Sequence, residues 1–340
     1  MRRKARSSGW LSLFLILLFA GTAGLVYWQA FAPAAAQSTR FLVRSGQGVR
    51  ETGDSLRARG IITSSPLFSA MSRLIGTDRR LKPGRYVLPT RASEYRILRI
   101  LACGGEQTAL VTVPEGFTIR QIAARLAREE VCDSASFIAA CRDTALLRRW
   151  RIPGATAEGY LFPDSYFLPY GIEPEAIVQM MHRRFLEVVK PLLPASQPPD
   201  PDPGSLPPDA VILASLVEAE AEQDTERPLV ASVFLNRLKR GMRLQSCATV
   251  EYVLPQRKAV LSQSDTRFES PYNTYLHAGL PPGPICNPGR SSLQAALHPA
   301  RTSYLFFVAR GGGRHYFSSS FSEHVAAQRR YGQRPPTGVR

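Results

Sequence analysis

The stretch Ala214-Ser-Leu-Val-Glu-Ala-Glu-Ala221 sets a carboxylate inside an apolar run. Val211, Ala214 and Ser215 precede Glu218 by seven, four and three residues, so on a helix they share its face. Leu213, Leu216 and Val217 complete its surroundings. A glutamate placed there loses hydration, and desolvation favours the neutral acid. A carboxylic acid that keeps its proton near neutral pH suits cleavage of a glycosidic bond, where the leaving oxygen must be protonated. Read alone, Glu218 is equally a salt-bridged structural residue. Glu220 lies two residues on and faces roughly the other way. It is a candidate second carboxylate, or else a capping or ion-paired residue beside Arg227 or Arg237. Glu222 and Glu226 read as solvated or capping.

Further along, Gln245, Tyr272, Asn273, Thr274 and Tyr275 are polar groups suited to a sugar. Amides and hydroxyls match sugar hydroxyls, and the ring of Tyr272 or Tyr275 can stack on a pyranose face. Core packing and turn formation are the competing readings, above all for Asn273. His298, before Pro299, reads as structural. The five cysteines (Cys103, Cys132, Cys141, Cys247, Cys286) form no CxxC, and no Cys/His spacing suggests zinc. No metal and no cofactor are expected.

These residues need elements to hold them. Asp209, after Pro207 and Pro208, is the expected N-cap of the Glu218 helix. A second helix is predicted near Arg227 to Lys239, with Pro228 in its first turn and Gly241 at its end. Residues 303–318 read as a hairpin around Gly311-Gly-Gly313. Earlier segments read as a strand at Phe41–Arg44, helices up to a C-cap at Gly60 and over Ser65–Ile75, and a strand ending at Leu88. Thr108–Val113 is a predicted strand, and Pro114-Glu-Gly-Phe-Thr118 a turn into a helix. Strand, glycine turn and helix thus recur as a weak internal repeat. A helix is predicted over Pro174–Val189. Pro191–Pro208 lacks apolar periodicity and reads as an exposed loop. The fold class is α+β.

The chain has 340 residues, a formal charge of +16 and 44% hydrophobic residues, which suits two or three domains with real cores. The basic residues are scattered, and no RNP, zinc-finger or helix-turn-helix signature accompanies them, so nucleic acid is not the expected partner. An anionic polymer or a membrane surface explains the charge equally well. Met1–Arg6 carries four positive charges, and no charged residue follows from Ser7 to Thr39. Trp10–Phe31 is long enough to span a bilayer, which takes about 20 apolar residues. Tyr27 and Trp28 stand at the interface level, and the positive-inside rule leaves the N-terminus cytoplasmic. A cleaved signal peptide ending near Ala34-Ala-Ala36 is the rival reading. The expected layout is a cytoplasmic tail (1–9), a transmembrane helix (10–31), a membrane-proximal α/β region (39–152) and a mixed α+β domain (155–332).

Glu158-Gly-Tyr-Leu-Phe-Pro-Asp164, Glu218-Ala-Glu220, Ala231-Ser-Val-Phe-Leu-Asn-Arg-Leu238, Gly241-Met-Arg-Leu-Gln-Ser246, Ser270-Pro-Tyr-Asn-Thr-Tyr275, Gly279-Leu-Pro-Pro-Gly283, Asn287-Pro-Gly289 and Leu297-His-Pro-Ala300 occur in order. In them the chain resembles the endolytic murein transglycosylases of the YceG-like family, from about Phe41 to Gln328 and most densely after Glu158. The resemblance implies a LysM-like membrane-proximal region and a periplasmic catalytic domain on a single inner-membrane anchor. It implies cutting of MurNAc–GlcNAc bonds within nascent peptidoglycan strands, with a 1,6-anhydromuramyl product, and termination of glycan growth near glycan-polymerising synthases. By position Glu218 matches the family's catalytic glutamate. The alternative is a catalytically silent peptidoglycan-binding scaffold. Many relatives carry Asp-Pro where this chain has Cys247-Ala248, so no role of that aspartate transfers. Disulfides Cys247–Cys286 and, more weakly, Cys132–Cys141 are conceivable within the required Cα separation of about 7 Å.

Overall fold

The computed structural model describes residues 20–22, 24, 27, 38–44, 46–77, 81–89, 93–193, 206–254 and 261–332. The expected transmembrane span and the middle of the 191–208 loop lie largely outside them. Among the described residues no helix is long and apolar enough to cross a membrane. The class is mixed α+β, with many helices and three two-stranded sheets among the described residues. The chain divides into two compact units: Met1–Ala109 with Phe167–Ile172, and Leu110–Tyr166 with Glu173–Arg340. Residues 110–152, expected to belong with the membrane-proximal region, therefore pack within the second unit.

In the first unit β1 (Ser38–Val43) pairs antiparallel with β2 (Gly84–Pro89), with Phe41 opposite Tyr86. Alternation puts Phe41 and Val43 on the buried face. Between the strands run α1 (Val49–Ala58) and α2 (Ser65–Ile75), and α3 (Glu94–Cys103) follows. Leu56, Phe68, Leu88, Ile97, Leu98 and Leu101 close one core. Ser64 and Ser93 cap α2 and α3 by accepting the N–H groups of Leu67 and Arg96. Buried Glu94 accepts from the Thr63 hydroxyl (2.8 Å) and the Ser64 N–H (3.2 Å), tying the start of α3 to the start of α2.

β3 (Thr108–Thr112) pairs with β4 (Ser165–Pro169), and the division between the units falls within both strands. The second unit then takes α4 (Ile119–Arg128), α5 (Ser134–Ala140), α6 (Thr144–Arg149) and α7 (Pro174–Val189). Thr118 and Gln121 form a capping box on α4. The central helix is α8 (Pro208–Glu220), in which every residue from Val211 to Val217 is buried. A helix apolar all round belongs inside a core, and α8 packs against α9 (Arg227–Lys239), α10 (Cys247–Val253) and α11 (Arg290–Leu297). Its N-cap is Pro207, without a side-chain cap, rather than the expected Asp209. Asp209 instead stands in the first turn, where a negative charge suits the helix dipole. The expected hairpin is present as β5 (Phe306–Gly311) and β6 (Arg314–Ser318), and α12 (Phe321–Arg330) packs on it.

Candidate active site

Glu218 lies in the last turn of α8, its side chain 7% exposed. Its surroundings are not purely apolar. Arg227 Nη1, at the start of α9, pairs with Glu218 Oε2 at 3.3 Å, and the Gly289 N–H donates to the same oxygen at 2.9 Å. Arg227 is itself held: Nε donates to Asp224 Oδ1 (2.8 Å) and Nη1 to Ser292 Oγ (2.6 Å). Arg227, one of two arginines offered as an ion-pair partner for Glu220, pairs with Glu218, the turn Asp224–Glu226 leading from the end of α8 into α9.

The loop that reaches Glu218 follows α8 step by step. The Ile285 N–H donates to Ser215 Oγ (3.1 Å), Cys286 Sγ–H to the Ser215 carbonyl (3.3 Å), and the Gly289 N–H to Glu218. Ser215 and Glu218 are three apart and share a helix face. On the other side of this loop stands Asn287, fully buried. Its Oδ1 accepts from the N–H groups of Gly159 (2.9 Å) and Leu161 (3.0 Å), and its Nδ2 donates to the Phe117 carbonyl and Glu158 Oε1, both at 2.9 Å. The Gly116 N–H donates to the Asn287 carbonyl at 2.9 Å. Asn287 thereby ties two segments distant in sequence, 116–117 and 158–161, to its own loop. Gly159 is needed there: it has φ +85, and a Cβ would stand 2.5 Å from Pro284.

Glu158 is a second buried carboxyl, 4% exposed, which in the sequence is visible only as part of a motif. It accepts from the Ile119 N–H at the start of α4 (3.0 Å) and from Tyr252 Oη–H (3.4 Å). Burial pushes its pKa up to about 8, against these hydrogen bonds. Tyr252 packs on Tyr272, ring centroids 5.1 Å apart. Glu115, read only as a turn residue, brings its carboxylate against Gly289. Partial desolvation and the charge of Glu218 hold its pKa above the usual carboxylate range, opposed by Arg227. Neither residue shows in a helical or strand period, since each stands in a turn and meets its partners only through the fold.

The other expected residues gather beyond the end of α8. Glu220 accepts from Ser246 Oγ–H at 2.5 Å, and burial raises its pKa. Ser246 precedes α10, and its N–H donates to Thr274 Oγ1 at 3.0 Å. Thr274 is 2% exposed, and Asn273 is fully buried. The Asn273 amide donates to the carbonyls of Thr266 (3.1 Å) and Phe268 (2.8 Å) and accepts from the Tyr275 N–H (3.0 Å). Both residues thus hold the loop and offer it no free polar face. Gln245 differs: it is half-buried with φ +52, an uncommon conformation for a non-glycine residue. Tyr272 and Tyr275 are half-buried. Tyr275 Oη meets Cys247 Sγ at 3.1 Å.

None of the five cysteines is joined in a disulfide. Cys247 is exposed and faces Tyr275, whereas Cys286 is buried beside Ser215, and the conceivable bridge between them is not formed. Cys132 and Cys141 are likewise unbridged. His298 Nε2 contacts the Leu192 carbonyl at 3.1 Å, a structural contact as expected. Among the described residues no group of acidic, histidine or cysteine side chains could hold a metal ion.

The sequence matches the model of the YceG-like family over residues 41–330. The chain belongs to the YceG-like family. Among its relatives, a Bacillus subtilis (strain 168) protein named endolytic murein transglycosylase is 32% identical, over 85% of this chain and 83% of that one. A Streptococcus pneumoniae (serotype 2, strain D39) protein of the same name is 28% identical, over 92% of this chain and 62% of the longer relative. A crystal structure of a yceG-like protein from Listeria monocytogenes superposes with a TM-score of 0.57 at 27% identity, covering 86% of this chain and all of that one. The YceG-like match includes Glu115, Glu158, Glu218, Arg227 and Asn287 within its limits.

Proposed function

We propose that this YceG-like chain is an endolytic murein transglycosylase in which Glu218 is the acid and then the base. The observation that carries the assignment is a nearly buried carboxylate at the end of a buried helix, fixed by the Gly289 N–H and Arg227. In the reaction, the Glu218 proton passes to the glycosidic oxygen as its bond to MurNAc C1 breaks. The C6 hydroxyl of the same sugar then bonds to C1, and its proton returns to Glu218. No water is consumed, and the product end is 1,6-anhydroMurNAc. Arg227 stabilises the carboxylate between the two transfers.

Gln245, Tyr272 and Tyr275 are the proposed sugar contacts, since each is only half-buried. Asn273 and Thr274 act by shaping their loop. Glu220 acts through Ser246, anchoring α10 beside the site. The first unit is read as LysM-like on its order of strand, two helices and antiparallel strand. The uncharged run after Met1–Arg6 supports a single inner-membrane anchor with the remainder periplasmic, close to glycan-polymerising synthases.

Glu218→Gln tests the assignment. The variant should melt like the unmodified chain yet lose about 10²–10⁴-fold in anhydromuropeptide release, the usual worth of general acid catalysis. Glu220→Gln should lose less. A folded Glu218→Gln with full turnover would sink the assignment, and full glycan binding without any cleavage by the unmodified chain would favour a silent scaffold.

A further inference from the structure

The first unit carries a cleft that the chemistry at Glu218 does not use. Its volume is about 450 Å³, and Arg40, Arg85, Val87, Ile100, Gly105 and Glu106 are among the residues that line it, all within that unit. One wall is the edge of β2. Residues 105 and 106 close that edge at a single point, where Arg85 and Glu106 exchange N–H···O bonds of 2.9 Å in both directions. Glycine permits the approach, because a Cβ on Gly105 would collide with the Arg85 carbonyl. An antiparallel strand turns the N–H and C=O of alternate residues toward the same edge. Arg85 uses both of its groups on Glu106, so Val87, two residues on, directs its own to that edge, and Pro89 follows. Val87 is 65% exposed, and among the described residues its edge-facing groups meet no backbone partner. Pro89 has no N–H to give. The edge thus offers one donor and one acceptor side by side, and a long strand cannot continue along it.

Cations crowd this edge. Arg40 stands opposite Val87 in β1 and diagonal to Arg85 on the same outward face, a separation of roughly 7–8 Å. Arg85 is neutralised: its Nη2 and Nε reach Glu106 Oε2 at 2.7 and 3.1 Å, and its guanidinium lies 5.1 Å from the Tyr170 ring centre. Arg40 is exposed and makes no ion pair among the described residues. Lys82 adds a third cation, its Nζ 3.7 Å from where a Cβ of Gly104 would stand. Like charges at neighbouring cross-strand positions destabilise a sheet, and an anion set between them relieves the repulsion. An unpaired guanidinium, one open backbone pair and the exposed Glu106 carboxylate fit a short peptide that bears both a carboxylate and an amine. A lipid surface is flat and needs neither the cleft nor the backbone pair.

We propose that this cleft binds the peptide stems of peptidoglycan. An amide of the stem pairs with the Val87 N–H and C=O, a stem carboxylate with Arg40, and the amine of the stem's diamino residue with Glu106. The idea rests on the murein substrate proposed above and deepens it: the first unit recognises the stem, and the second the sugar. Because the open edge is one residue long, the peptide's charges, and not an extended strand pairing, select it.

Fluorescence anisotropy of the full-length chain with N-terminally labelled L-Ala-γ-D-Glu-meso-diaminopimelate-D-Ala tests the proposal. Saturable binding is expected, and salt should weaken it. Arg40→Gln should weaken it about tenfold, a value typical of one charge-assisted hydrogen bond. Arg40 is exposed, so this variant should melt like the unmodified chain. A second arm needs no variant: amidating the peptide carboxylates should weaken binding to the unmodified chain by a similar factor. It should also remove most of the effect of Arg40→Gln, since both changes delete the same contact. Glycan strands stripped of their peptides should not displace the probe. Absence of saturable binding at millimolar peptide, equal binding by Arg40→Gln, equal binding of the amidated peptide, or displacement by stripped glycan would each overturn the proposal. An Arg40→Gln defect seen only with phosphatidylglycerol vesicles would overturn it too, and would assign the cleft to a lipid surface. Failure of the underlying function is distinguishable, because it appears as peptide binding by a chain that releases no anhydro ends from stem-bearing glycan.

Discussion

At the scale of single residues, Asn287 and Glu158 carry more of the site than their sequence positions reveal. Asn287 has all four hydrogen-bonding positions of its amide occupied inside the protein. Asn287→Ala should leave two N–H groups, a carbonyl and Glu158 short of a partner. At about 1–3 kcal/mol for each buried group left unpaired, a loss of at least ~2–4 kcal/mol is expected. Urea denaturation measures it, and a loss within 0.5 kcal/mol or so, the usual surface value, would mean that water replaces the amide. Glu158 makes stability depend on pH. Burial places its folded pKa near 8, above the unfolded reference of 4.5, so the folded state holds the proton more tightly. Its stabilising contribution is complete below the unfolded value and is lost as pH rises through the folded one. Between those limits unfolding free energy should fall by up to ~1.4 kcal/mol per pH unit. Glu158→Gln should flatten that slope, and an unchanged slope would assign it to another group. Of these residues only Glu218 stood out in the sequence, because an acid interrupting an apolar helix breaks a local pattern. Glu115 and Arg227 break none, and their meeting with Glu218 exists only through tertiary structure.

At the scale of elements, the helices at Ser65–Ile75, Pro174–Val189 and Arg227–Lys239 and the Gly311–Gly313 hairpin follow directly from apolar period and turn chemistry. The start of α8 is less legible in the sequence. Two prolines suffice to begin a helix that tertiary packing encloses, so Asp209 was not required as a cap. The loop Ile285–Gly289 has no periodic signal at all, yet it is the element that joins Ser215, Glu218 and Asn287. Its tight seat makes a testable difference between two glycines. Gly159 has φ +85 and no room for a Cβ beside Pro284, whereas Gly241 has φ +64 and open space. Gly241→Ala should cost about 1 kcal/mol, from backbone conformation alone. Gly159→Ala should cost several kcal/mol, since overpacking adds about 1–3 kcal/mol. Thermal melts of the two variants compare them, and equal losses would show that the Pro284 contact yields easily.

At the scale of the whole molecule, the sequence carried the α+β class and the family, while the grouping of residues 110–152 with the second unit emerged only from packing. The strand–turn–helix that begins there looks like the first one in pattern, but its turn supplies Glu115 and Gly116 to the site around Glu218. The proposed N-in orientation rests on the four positive charges of Met1–Arg6 and the uncharged run to Thr39. Alkaline phosphatase fused after Arg340 should therefore be active, and a stable but inactive fusion would reverse the topology. The central proposal is that the sugar's own hydroxyl, and not water, ends the bond. It is tested most directly by mass spectrometry of glycan strands treated with the full-length chain in ¹⁸O-labelled water. The new muramyl ends should be anhydro forms carrying no label, and Glu218→Gln should give almost none of them. Labelled reducing ends would identify a hydrolase and refute the intramolecular mechanism.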